Sequence, residues 1–143
     1  MKLAIREIDH VVLRVVDMEA MVRFYCDVLG AGFVARRPEL GMAHLRAGSS
    51  LIDLVEVAGP LGKAGGAAPG REGRNLDHLC LRVEPFDAEA IVAHLAEHGV
   101  KPEGEIRARF GAEGTGTSLY LKDPEGNTVE LKGPSDGSRR PPP

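Results

Sequence analysis

IDHVVLRV, residues 8–15, and LDHLCLRV, residues 76–83, are two versions of one eight-residue segment. Asp, His, Leu, Arg and Val coincide, and the other three pairs are apolar. A repeated segment implies a repeated structural unit, so this self-similarity outranks any single motif in deciding the fold. The stretch downstream of each copy repeats as well. DMEAMVRFYCDVLG, residues 17–30, sets Met21, Phe24, Tyr25 and Val28 at helical spacing, with Asp17 suited to the N-cap and Gly30 to the stop. FDAEAIVAHLAEHG, residues 86–99, sets Ala88, Ile91, Val92 and Leu95 the same way and ends at Gly99.

Short strand-like pieces complete each half, at 31–37, 42–47 and 50–57 in the first and 102–108, 116–122 and 127–132 in the second. The expected fold is therefore α+β, built of two tandem βαβββ modules over residues 1–57 and 76–132. Residues 58–75, AGPLGKAGGAAPGREGRN, read as a linker from their Gly, Ala and Pro content. Their Gly-Lys pair lacks the following Ser or Thr of a phosphate-binding loop. Residues 133–143 are polar and Pro-rich, and composition assigns them to disorder.

Bulk properties narrow the function. Eighteen basic against twenty-one acidic residues give a net charge of −3, and aromatics make up 4% of the chain; neither favours a nucleic-acid partner. The charged N-terminus and the absence of a long apolar run give no membrane or export signal, so the expected compartment is the cytoplasm. Cys26 and Cys80 are then expected as free thiols.

Strand parity sorts the side chains. His10, Val12 and Arg14 share one face of the first strand, while Asp9, Val11, Leu13 and Val15 turn to the helix. His78, Cys80 and Arg82 lie opposite Asp77, Leu79, Leu81 and Val83. After the turn DPEGN, residues 123–127, the strand NTVELK places Val129 and Leu131 on the helix side and Glu130 on the other. Ser118 and Tyr120 fall on that same side. If the modules pair about a pseudo-twofold axis, two imidazoles and one carboxylate meet in a shared cleft. Such a set leaves positions open for water or substrate, which is the pattern of a catalytic ion such as Ni, Zn, Mn, Co or Fe(II).

These residues resemble the vicinal oxygen chelate superfamily, which includes glyoxalase I, extradiol dioxygenases, fosfomycin-resistance enzymes, methylmalonyl-CoA epimerase and bleomycin-resistance proteins. IDHVVLRV followed by FYCDVLG, and LDHLCLRV followed by SLYLKDPEGNTVELK, carry the resemblance, which covers about residues 5–132. It implies paired βαβββ modules forming an open, cleft-bearing mixed β-sheet barrel with the helices outside. It implies one divalent ion held by His10, His78 and Glu130, a small-molecule substrate and a homodimer. Matching SSLIDL to GNTVEL puts Asp53 at the family's fourth ligand position, where glyoxalase I has a glutamate. Asp is one methylene shorter, so Asp53 is expected as a base or a water-mediated contact.

The activity implied is a glyoxalase-type lyase or isomerase acting on a small oxygenated metabolite or thiol adduct through a metal-chelated enediolate. Asp53 is the first candidate base and Glu130 the second. Ser118 and Tyr120 are candidates to orient an oxyanion, Arg109 in a Gly-rich loop to pair with an acidic group, and His44 to touch substrate. Three other readings use the same cleft: epoxide opening of the fosfomycin type, ring cleavage with Fe(II), and metal-free sequestration of a drug. His94 and His98 fit the short HxxEH pattern, but a solvated helix end accounts for them. Cys80 reads as a small buried hydrophobe.

Overall fold

The computed structural model describes residues 1–141. The chain divides into two compact units, one ending at Asn75 and the other beginning at Leu76. The first contains β1 (His10–Val15), α1 (Met18–Arg23), β2 (Gly32–Arg37), β3 (Met42–Ala47) and β4 (Ser50–Glu56). The second contains β5 (Leu79–Arg82), α2 (Ala88–Glu97), β6 (Glu103–Gly111), β7 (Gly114–Lys122) and β8 (Thr128–Lys132). Each unit is therefore βαβββ, and the α+β reading of the sequence holds.

The two sheets share one connectivity. In the first the strand order is β1-β4-β3-β2, with β1 parallel to β4 and the other pairs antiparallel. In the second it is β5-β8-β7-β6 with the same senses. A parallel pair cannot be joined by a tight turn, so each helix serves as the crossover into the remaining strands.

Alternation fixes which face meets the helix. In the first unit Leu13, Val15, Ala43, Leu45, Ile52 and Leu54 are buried together with Met18, Met21, Phe24 and Tyr25 of the helical segment. In the second, Leu119, Leu121, Val129 and Leu131 are buried with Leu95 of α2. The first helix starts as the sequence indicates, with Asp17 accepting from Ala20 N (2.9 Å), and Asp87 caps α2 in the same way, accepting from Ala90 N (3.0 Å). After Arg23 the first helix widens into a π-helical turn over Phe24–Val28, which the 3.6-residue pattern did not disclose. Glycine ends both segments, Gly30 at φ 77° and Gly99 at φ 71°.

The linker and tail are more ordered than composition suggests. Gly62–Gly65 form a 3₁₀ turn, and Arg14 of β1 donates to the carbonyls of Gly62, Gly66 and Ala67 at 3.0, 2.8 and 2.8 Å. A Cβ on Gly65 would lie 2.5 Å from the Arg14 guanidinium carbon, so only glycine permits this clamp. The tail, expected disordered from residue 133, continues the β8–β7 pairing instead. Gly133 N donates to Thr117 O (2.8 Å), Asp136 N to Thr115 O (2.7 Å) and Thr115 N to Ser138 O (2.8 Å). The part of that expectation falling on residues 142–143 lies outside the described residues. No helix among the described residues is long and apolar enough to cross a membrane.

Candidate functional site

Each module presents a polar row on the sheet face opposite its helix. In the first, His10 opens β1, and Val12, Asp53 and His44 lie side by side on β1, β4 and β3. Asp53 is buried, and its Oδ1 is 2.7 Å from His44 Nδ1. The imidazole therefore occupies the carboxylate that the match between SSLIDL and GNTVEL placed at a ligand position.

In the second module Cys80, Glu130 and Tyr120 form the corresponding row on β5, β8 and β7. His78 precedes β5, with its Nε2 3.2 Å from Glu130 Oε2. The other carboxylate oxygen, Oε1, is buried and has no hydrogen-bond partner. Tyr120 packs edge-on against His78, ring centroids 5.7 Å apart, and Arg109 sits 5.8 Å from the Tyr120 ring centroid. Burial and then the Glu130 carboxylate push the Tyr120 phenol up, against the opposing effect of Arg109. The turn that aims Glu130 is built as its sequence implies. Asp123 Oδ1 accepts from Glu125 N (3.0 Å) and Asn127 N (2.9 Å), its Oδ2 accepts from Asn127 Nδ2 (2.7 Å), and Gly126 takes φ 82°.

Asp9 and Asp77 are functional candidates that parity reasoning misplaced. It turned both toward the helices, yet their side chains are 90% and 97% exposed. The strands begin after them, at His10 and Leu79, so strand alternation does not govern them. Each grips the histidine that follows: Asp9 Oδ1 lies 2.7 Å from His10 Nδ1, and Asp77 Oδ1 lies 2.6 Å from His78 Nδ1. The Asp9 hydrogen bond raises the His10 pKa above its usual value, against desolvation. A carboxylate on Nδ1 leaves Nε2 as the free nitrogen, the usual support for a metal-ligating histidine. The Asp-His dipeptide, present in both repeats, was the available signal.

Other expectations change. Arg109 belongs to β6, paired with Gly116, and not to a loop; the Gly-rich stretch is a hairpin with a two-residue turn at Ala112–Glu113. Ser118 is buried, with a hydroxyl that has no partner, so it is not a free oxyanion donor on an open surface. Cys80 is exposed and not buried, and desolvation together with the Glu130 carboxylate pushes its thiol up to about 12, which keeps it protonated. His94, in the last turn of α2, and His98, its C-cap, are exposed, ring centroids 4.8 Å apart. Among the described residues no group of three or more His, Cys, Asp or Glu side chains is gathered to hold an ion. The donors stand within each module, His78 with Glu130 in one and His44 with Asp53 in the other, and His10 opens the strand beside the latter pair.

Comparison with known proteins agrees with this architecture. The family model described as Glyoxalase/Bleomycin resistance protein/Dioxygenase superfamily matches residues 7–131. Glyoxalase domain-containing protein RDO1 of Mycosarcoma maydis is 31% identical over 137 residues, spanning 94% of this chain and 72% of that protein. Virulence protein STM3117 of Salmonella typhimurium is 31% identical over 132 residues, spanning 91% and 85%. Its crystal structure superposes with a TM-score of 0.75 at 26% identity, covering 92% of this chain and 99% of that one. TnmS3, an antibiotic binding protein from Streptomyces sp. CB03234, gives a TM-score of 0.67 at 26% identity, covering 94% and 100%. With the repeat, the two βαβββ units and a family match over nearly all of its length, the chain belongs to the glyoxalase/bleomycin resistance protein/dioxygenase superfamily.

Proposed function

We propose that the protein is a divalent-metal-dependent enzyme that moves a proton on a small oxygenated metabolite or thiol adduct, with His10, His78 and Glu130 as the metal ligands. One observation carries the reading. Glu130 keeps a buried carboxylate oxygen that no donor meets in a well-formed hydrogen bond, beside the Nε2 of a histidine whose Nδ1 is already held by an aspartate. A buried, unsatisfied carboxylate oxygen is costly unless a cation meets it. The donors are two imidazoles and a carboxylate, suited to Ni, Zn, Mn, Co or Fe(II).

A bound ion of this kind supplies Lewis-acid stabilisation of negative charge on substrate oxygens. The chain's own residues do the rest. Asp9 and Asp77 fix the ligand imidazoles, while Tyr120 and Arg109 offer a hydroxyl and a cation beside Glu130. Asp53 is engaged by His44 and is not proposed as a ligand. Self-association is also proposed, since Val12, Phe33 and Val34 in one module and Ile106 and Phe110 in the other are exposed apolar side chains.

The test is titration of metal-free protein with each ion, followed by assays with the methylglyoxal–glutathione adduct, fosfomycin plus a thiol, and catechols. One ion per chain and turnover of the adduct are expected. The similarity to an antibiotic binding protein motivates the competing outcome: no ion retained, and tight binding of an apolar drug. That result would sink the enzyme reading.

A further inference from the structure

We infer that His44, held by Asp53, is the catalytic base that takes and returns the proton, with Asp53 as its positioning residue. The inference rests on the proton-transfer reading above and replaces the carboxylate base that the sequence suggests.

The geometry is local to the first module. His44 on β3 and Asp53 on β4 are direct register partners on the face opposite α1, and Val12 flanks Asp53 on its other side. Val12 offers no polar atom, so across the sheet His44 is the hydrogen-bond partner available to Asp53. The Asp53 side chain is 7% exposed and the His44 side chain 23%. The carboxylate is thus withdrawn while the imidazole it holds reaches the surface. An Nδ1–H donated to a buried carboxylate fixes the neutral tautomer and leaves Nε2 as the acceptor. The same carboxylate then stabilises the imidazolium that forms when Nε2 takes a proton, the logic of any base oriented by an acidic residue. Asp53 alone is poorly placed for that task, since its Oδ1 is occupied and its side chain is covered.

The step balances without a co-reactant. Nε2 removes a proton from a carbon next to a carbonyl. The C–H electron pair becomes a C–C π bond, and the carbonyl π pair moves onto oxygen. Where the first carbon bears a hydroxyl, the imidazolium returns the proton to the former carbonyl carbon, which bonds it with the C–C π pair; the hydroxyl oxygen becomes the new carbonyl as its proton passes to the enolate oxygen, and the isomerisation is complete. His10 opens the strand next to Asp53 on this sheet face, which puts the base in the same module as a proposed metal ligand.

Hydroxyacetone in D2O serves as the probe, because C–H exchange requires proton removal but no turnover. Metal-loaded wild type is expected to exchange the carbon-bound protons, followed by proton NMR. H44Q should lose about 100-fold or more of that rate, the range of general-base catalysis, and D53N about 10-fold. Metal stoichiometry and hydroxyacetone affinity should stay within twofold in both. Nitrogen-15 NMR of wild type should show His44 as the Nδ1–H tautomer, becoming mixed in D53N. Exchange by H44Q within threefold of wild type, or an Nε2–H tautomer in wild type, overturns this inference and leaves the metal-dependent reading standing. No exchange by metal-loaded wild type overturns both.

Discussion

The row that crosses the first sheet reads Val12, Asp53, His44, Ala35, and the corresponding row of the second reads Cys80, Glu130, Tyr120, Glu103. Connectivity and register are shared, and each row has a buried carboxylate at the equivalent position, Asp53 on β4 and Glu130 on β8. The carboxylates nevertheless find different partners. Asp53 turns sideways to the imidazole on β3, whereas Glu130 reaches the histidine at the head of β5. One methylene and the residue on the neighbouring strand separate the two outcomes. A duplicated scaffold thus holds equivalent carboxylates in place while short side-chain changes assign them different tasks.

The sharpest way to break this comparison is to neutralise each carboxylate in turn. E130Q should weaken divalent-metal affinity beyond the ~10–100-fold that a supporting residue is worth, because it removes a proposed ligand. D53N should change that affinity less than about threefold on the same scale, since its carboxylate serves His44. Isothermal titration of the metal-free variants measures both. Equal losses would mean that the two rows do the same work.

Below that effect come the aspartates that hold the histidines. D9N and D77N should each weaken metal binding by about 10-fold, the lower end for support of a ligand. The apo protein gives a second readout at His10. Its pKa is raised first by the Asp9 hydrogen bond, so D9N should return it toward the ordinary imidazole value, as NMR titration would record. By linkage, a raised folded-state value means that this contact favours the fold below the free imidazole pKa. Its contribution fades as pH climbs through the folded-state pKa. A His10 titration unaffected by D9N would remove Asp9 from the site.

Legibility in the sequence divides along physical lines. The repeat, the helix cap at Asp17 and the DPEGN turn were readable because each is a local pattern with a local cause. So was the placement of Glu130 opposite the helix, because period-two alternation holds inside a strand. Asp9 and Asp77 were misread because alternation was extended past the strand ends. The His44–Asp53 pair needed the register between β3 and β4, which no spacing of nine residues reveals. Arg109 and the hairpin were obscured for another reason: glycine counts as a loop signal, yet here it makes room. A Cβ at Gly111 would lie 2.6 Å from Lys132 Cε, so this glycine leaves space for the lysine chain across the sheet, and one at Gly116 would lie 2.3 Å from Pro134 O and 2.8 Å from Lys132 Nζ, so this one admits both the tail backbone and the lysine end.

That lysine marks the second contrast between the modules, and the smallest expected effect. Two residues beyond the carboxylates, the first sheet carries Val55 against Met42, and the second carries Lys132 against Ser118. The first pair is apolar. In the second, both residues are buried, and neither the amine nor the hydroxyl has a hydrogen-bond partner. A buried amine without a partner opposes folding, and an apolar chain of similar length avoids that cost while still filling the groove over Gly111 and Gly116. K132M, which approximates the first module's solution, should therefore stabilise the metal-free protein by about 1 kcal/mol, within the range found when buried charged groups give way to apolar ones. Urea denaturation would measure it. A loss of stability would show that the amine is satisfied in solution, and the two modules would then differ less at this row than their residues imply.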